Sequence, residues 1–200
     1  VPLTIVVQPW FHDHFVGSTT VLPAVETMRI LAAHCLANHP ATEVRVMENA
    51  RFDKFLEIPQ GAASVAALAQ CTEEENGQLQ VKLLSHVQLR TMARIKEHAE
   101  LFFQQTATDL LDVPDVDPTP PTTALHKIAA QRIYQELVPF GPTYHTLHDT
   151  VYLPDCQAWG QLRTPEIAFV DPVQRRIGSP FPLDGALHAA CVLGQQVVDF

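Results

Sequence analysis

Three ionisable residues stand where burying a charge is expensive. His14 lies in the loop HDHFVGSTTVLP, directly ahead of a stretch, residues 24–38, that is apolar almost all round. Asp184 and His188 open a second such stretch, LDGALHAACVLGQQVV, and are the one acid and the one base in its first three turns. Four residues apart, they share a helix face. Burying either costs several kcal/mol unless it is paired. A base that can take a proton and a carboxyl group that can give one are the minimum for general acid–base chemistry. A structural account is also open here. Asp184 can be a helix-start carboxylate favoured by the helix dipole, with His188 bonded to it, and His14 can be a loop histidine bonded to a backbone carbonyl.

Other chemistries have less support. His12 with His14, and His145 with His148, are spaced as metal pairs, but no third ligand accompanies either and H-E-x-x-H is absent, so no metal is expected. There is no G-x-S-x-G elbow, and neither phosphate-binding glycine motif occurs. Cys35, Cys71, Cys156 and Cys191 form no C-x-x-C pair and read as free thiols, buried where they fall in apolar helical stretches; this points to a reducing compartment and a cytoplasmic location. A net charge of −9 argues against nucleic acid as a partner. No apolar run reaches the roughly 18 residues of a membrane helix. VPLTIVV has neither the basic start nor the cleavage site of a signal peptide, and without an initiating Met the chain reads as a piece of something longer.

The elements that must hold these groups follow from periodicity. Two hundred residues can bury a substantial core. Pro23 suits a first helical turn and Pro40 ends the helix that follows. Residues 1–7, 43–58 (with a bulge near Asn49), 63–71, 79–89 and 94–103 read as strands, with EEENG as a hairpin turn. Residues 109–123 (DLLDVPDVDPTPPTT) are a Pro/Asp-rich linker; the spaced aspartates lack the central Gly and closing Glu of a calcium loop. Then come an amphipathic helix over 124–137, a PFGP turn, strands over 144–153 and 157–163, and the second buried helix over 183–198. The expected domains are 1–108 on the His14 side and 124–200 on the Asp184 side. Both repeat one α+β unit, a buried helix wrapped by an antiparallel sheet. The second copy is short of strands, as if a C-terminal piece were missing or the sheets shared strands.

Three motifs, in order over residues 8–195, resemble the dehydratase domain of modular polyketide synthases and related fatty-acid synthases. His14 and Pro23 match the ends of H-x-x-x-G-x-x-x-x-P; the motif glycine falls on Ser18, with Gly17 one place early. Gly141, Pro142, Thr143 and Tyr144 match G-P-x-F/Y, and Asp184 and His188 match D-x-x-x-H/Q after PFPL. The family usually continues well beyond its second helix. The resemblance implies a double hotdog fold and no bound cofactor, the substrate being a 3-hydroxyacyl thioester carried on the phosphopantetheine of an acyl carrier protein. It implies His14 as base, Asp184 as acid and His188 as the group orienting Asp184. An amide of Gly17 or Ser18 at a helix N-terminus would stabilise the thioester oxyanion. Tyr144 would line the tunnel or stay a core aromatic. The implied partners are the acyl carrier protein and other domains of a synthase, and a homodimer is compatible with it; Arg175 and Arg176, shortly before the second helix, could form a basic docking patch for the acidic carrier or simply a solvated turn. A product-template-type cyclase or double-bond isomerase would use the same pair on the same fold, and a catalytically silent carrier-docking module would use neither. Substrate chain length, stereochemistry and double-bond geometry are not encoded at this level.

Overall fold

Alternation over residues 79–89 marks the central strand of the largest sheet. In the computed structural model, which describes residues 1–89, 92–104, 119–121, 126–167 and 173–197, five antiparallel strands form one sheet. They are β1 (Pro2–Val6), β4 (Glu43–Arg51), β5 (Ser64–Glu73), β6 (Gln78–Leu89) and β7 (Met92–Gln104), in the order β1-β5-β6-β7-β4. A short hairpin, β2 (Phe15–Val16) and β3 (Thr19–Thr20), stands apart from that sheet. The predicted bulge is present: Asn49 has φ +50 and the β4–β7 register shifts between Glu48 and Arg51. β4 ends at Arg51 rather than at residue 58. Helix α1 (Ala24–Asn38) packs against the sheet and buries Leu31, Ala32 and Cys35 among Val81, Leu83, Leu101 and Phe103. Only its last turn, at Ala37 and Asn38, is exposed, as expected of a helix apolar on every side.

The chain divides into two compact units, Val1–Asp112 with Phe169–Gly178, and Val113–Ala168 with Ser179–Phe200. The linker expected over 109–123 lies outside the described residues except at 119–121. In the second unit β8 (His126–Ala129), β9 (Leu147–Leu153) and β10 (Trp159–Leu162) pair antiparallel in the order β10-β9-β8. After the short helix α3 (Gln174–Ile177) of the first unit, helix α4 (Pro180–Val197) lies against β9 and β10 and packs its Val192 into a core with Ile133, Val151 and Leu153.

Two expectations are corrected here. Residues 126–129 are a strand, not the start of a helix: the chain becomes helical only at α2 (Ala130–Arg132), which continues as a π turn over Ile133–Leu137. Pairing with β9, His126 opposite Leu153 through Ala129 opposite Thr150, outweighs the weak helical pattern of those residues. Nor is α4 buried on every side, since Leu183 and Leu187 are 46% and 41% exposed. Three described strands cover one face of an 18-residue helix and leave the other face uncovered. Cys191 lies on that exposed side, and Cys156 is exposed too; Cys35 is buried and Cys71 half-buried. Among the described residues no helix is long and apolar enough to cross a membrane.

Candidate active site

The local chain around His14 is built to hold a ring by one nitrogen. A 3-10 turn, Pro9–Asp13, ends where the His14 N–H bonds the Phe11 carbonyl at 3.1 Å. The β2–β3 hairpin then doubles back through Gly17 and Ser18 and brings Val21 beside His14. The Val21 N–H donates to the His14 carbonyl at 3.0 Å, and the Val21 carbonyl lies 3.2 Å from Nδ1 of the ring. A carbonyl only accepts, so Nδ1 carries the hydrogen and the lone pair of a neutral ring sits on Nε2. The side chain is 6% exposed. That is the tautomer a base working through Nε2 requires.

Gly17 has φ +61, the left-handed conformation that a two-residue hairpin turn asks of its first residue, which accounts for a glycine one place earlier than the motif. Gly17 and Ser18 are therefore the exposed tip of a hairpin, not the start of a helix; α1 begins only at Ala24, with Pro23 as its extended N-cap residue (φ −61, ψ 146). The expectation of a helix-terminus amide at Gly17 or Ser18 is corrected accordingly.

A second buried polar pair braces the loop that borders this hairpin. His98 on β7 is 3% exposed, with Nε2 2.8 Å from the Ser85 hydroxyl and Nδ1 3.1 Å from the Lys54 carbonyl. Nδ1–H therefore donates to Lys54, and Ser85 donates to Nε2. Burial holds His98 below the usual histidine range, so the ring stays neutral. The Leu22 N–H bonds the Leu56 carbonyl at 2.8 Å, and the Ile58 N–H bonds the Thr20 carbonyl at 2.9 Å, tying that loop to β3 and to Val21 and Leu22 just after it.

The second unit holds the candidate acid. Asp184 and His188, 4% and 3% exposed, lie on one face of α4, with Oδ2 and Nε2 3.0 Å apart. The contact is of ion-pair length, but the ring N–H is not aligned on the oxygen. Among the described residues neither Asp184 Oδ2 nor His188 Nε2 has a hydrogen-bond partner. A buried, unsatisfied carboxylate oxygen is rare and calls for an explanation. On its other side His188 places Nδ1 3.3 Å from the Tyr134 hydroxyl, which accepts the Leu147 N–H at 2.8 Å. In the tautomer where Tyr134 O–H donates to Nδ1, His188 carries its hydrogen on Nε2, facing Asp184. Burial, and to a lesser degree the Asp184 charge, push the Tyr134 hydroxyl above the ordinary phenol range, which keeps it a donor. Tyr144, fully buried in the short 3-10 turn Pro142–Tyr144, packs on Phe181 with ring centroids 5.4 Å apart.

No family model matches the sequence, and no curated protein matches it. Solved structures do match the fold. A trans-AT polyketide synthase dehydratase domain from Brevibacillus brevis superposes with a TM-score of 0.72 at 18% identity, over 97% of this chain and 69% of that one. The dehydratase domain from the CurF module of curacin polyketide synthase gives 0.72 at 14% identity, over 94% and 68%. An N-terminal dehydratase from the difficidin assembly line gives 0.70 at 14% identity, over 98% and 69%.

The chain has the fold of polyketide synthase dehydratase domains. Each of its units sets a long helix against antiparallel strands, and the candidate groups are divided between them: His14 in the first, Asp184 with His188 in the second.

Reading by sequence missed Tyr134, which sits in a stretch assigned to a plain amphipathic helix and carries no motif. It also missed Glu26, which looks like an ordinary first-turn acid of α1 and yet is fully buried. Of the pairs weighed as metal ligands, His145 instead bonds the Phe140 carbonyl at 2.8 Å and stacks on Tyr134, and His148 lies 3.0 Å from Asp149. Among the described residues no three His, Cys, Asp or Glu side chains converge as metal ligands.

In this dehydratase-like fold the residue after Asp184 has to be glycine for a reason of contact. A Cβ on Gly185 would lie 2.5 Å from Thr146 Oγ1 and 2.6 Å from Leu162 Cδ2, both fixed by β9, β10 and their approach. Gly185→Ala should destabilise the protein by about 1–3 kcal/mol, the usual cost of overpacking. A denaturant melt checks it; an unchanged midpoint would mean that α4 does not approach the sheet this closely.

Proposed function

We propose that the chain is a dehydratase domain of a polyketide or fatty-acid synthase, a double hotdog that removes water from a 3-hydroxyacyl thioester to leave a 2-enoyl thioester. The observation that carries this reading is the buried Asp184 carboxyl group, with an oxygen lacking any hydrogen-bond partner among the described residues, in a protein of this fold. A domain that only docked a partner would have no reason to keep so costly a group.

His14 Nε2 takes the proton from the carbon between the thioester carbonyl and the hydroxyl-bearing carbon. The released electron pair moves first onto the thioester carbonyl as an enolate, and then forms the new double bond as the C–O bond breaks. Asp184, as the acid, gives its proton to the departing hydroxyl, which leaves as water. The thioester carbonyl shares the negative charge while it lasts. Tyr134 holds the tautomer of His188, and His188 in turn orients Asp184. Tyr144 forms part of the wall against the acyl chain, and Pro23 sets the start of α1 behind His14. No cofactor is needed, because the thioester itself makes the proton acidic. The test is incubation with a 3-hydroxybutyryl thioester and mass spectrometry for loss of water; no loss under any buffer condition would overturn the assignment.

The substrate is carried by the phosphopantetheine arm of an acyl carrier protein belonging to the same synthase. Arg45, Arg175 and Arg176 share one cleft with Glu43 in the first unit, a concentration of positive charge in a chain of net charge −9. Arg45 is committed to Glu43, whose carboxyl group it holds down to about 2, leaving Arg175 and Arg176 to face an acidic partner. Reversing both to Glu should raise KM for carrier-bound substrate about tenfold or more and spare a small thioester mimic. Equal effects on both substrates would remove this cleft from docking.

A further inference from the structure

We infer that Glu26 and Trp10 form a clamp that positions His14, an inference that rests on the reading of His14 as the base. Glu26, the third residue of α1, is completely buried in a helix whose other core-facing residues are apolar or small. Each carboxylate oxygen takes one donor: Oε1 accepts the Trp10 indole N–H at 2.9 Å, and Oε2 accepts the Arg29 Nε–H at 2.8 Å. Arg29 is itself 11% exposed in its side chain, so the pair is largely out of water.

Trp10 belongs to the 3-10 turn that ends at His14. Its ring meets the buried Phe11 edge-on, with centroids 6.1 Å apart, and the Phe11 carbonyl accepts the His14 backbone N–H. The path from α1 to the imidazole is therefore short and covalent after one hydrogen bond: Glu26, Trp10, one turn of backbone, His14. Val21 holds the ring from the opposite side.

Stability alone does not call for this arrangement. A buried ion pair is often no better for stability than well-packed apolar residues, so its gain lies in geometry where it has one. Here it fixes the one turn that sets where the imidazole begins. A base displaced by about 1 Å can lose on the order of a hundredfold in rate.

The test compares Trp10→Phe and Glu26→Gln with Val81→Ala, a core truncation on β6 outside the clamp, in the full chain. Turnover of 3-hydroxybutyryl thioester and the His14 Cε1–H NMR resonance are measured together. Trp10→Phe should lower kcat about 10- to 100-fold with KM within about twofold, and should shift the His14 resonance. Glu26→Gln, which keeps an oxygen for the indole, should fall between Trp10→Phe and the parent. Val81→Ala should melt earlier yet keep both kcat and the resonance. Parent-like kcat in Trp10→Phe and Glu26→Gln, or a kcat that simply follows melting temperature across all three, overturns the clamp. Full activity in His14→Ala would instead overturn the catalytic reading. The clamp then stands or falls on the resonance alone, and an unmoved His14 signal in Trp10→Phe rejects it.

Discussion

Asp184→Asn should lose at least about a thousandfold in water elimination while keeping its melting temperature within a few degrees. The amide keeps the size of the carboxyl group and its acceptor oxygen but has no acidic proton to give. Protonating a departing hydroxyl is what makes it a tolerable leaving group, and general acid catalysis contributes about 10²–10⁴-fold on its own. Folding has little to lose, because Oδ2 has no hydrogen-bond partner among the described residues and the amide has the shape of the carboxyl group it replaces. Product formation is read by mass spectrometry on the 3-hydroxybutyryl thioester. Parent-like rates in a folded Asp184→Asn protein would take the carboxyl group out of the mechanism.

His14→Ala should lose comparably in elimination, and it should fail in a second assay that Asp184→Asn passes. If His14 removes the proton next to the thioester carbonyl, the parent and Asp184→Asn should both exchange that hydrogen for deuterium from solvent, whereas His14→Ala should not. The ring's single acceptor nitrogen, Nε2, follows from the Val21 carbonyl at Nδ1, so no other atom of the side chain can take the proton. Deuterium incorporation is counted by mass spectrometry in the recovered substrate. The opposite pattern, exchange in His14→Ala and none in Asp184→Asn, would reverse the two roles. A melting curve separates loss of chemistry from loss of fold in His14→Ala, since a misfolded variant would also fail both assays.

Much of this site could be read from local order. Helix starts marked by Pro23 and Pro182, and strands marked by alternation over 79–89 and 94–103, need only near neighbours in sequence, and the structure has them within a few residues. The Asp184–His188 contact is also local, because a four-residue spacing puts two side chains on one helix face whatever the surroundings. Other features were misread because distant strands decide them. Residues 126–129 read as helix until β9 pairs with them, and Leu183 and Leu187 read as core until the extent of the covering sheet is known. The glycine that falls one place early in the motif looked like a defect; the hairpin turn shows it in the one place where φ +61 is wanted.

The amino-acid sequence by itself determined which groups could do acid–base chemistry, which segments are helical or extended, and the order of motifs that points to dehydratase domains. Residue type and short spacing suffice for those. Tertiary structure alone decided the protonation partners: the Val21 carbonyl on His14, Tyr134 on His188 across 54 residues, and Trp10 on Glu26 across 16. The reason is physical. A buried hydrogen bond depends on the direction and distance of two groups brought together by packing, and neither quantity is set by the identity of the residues next to them in the chain.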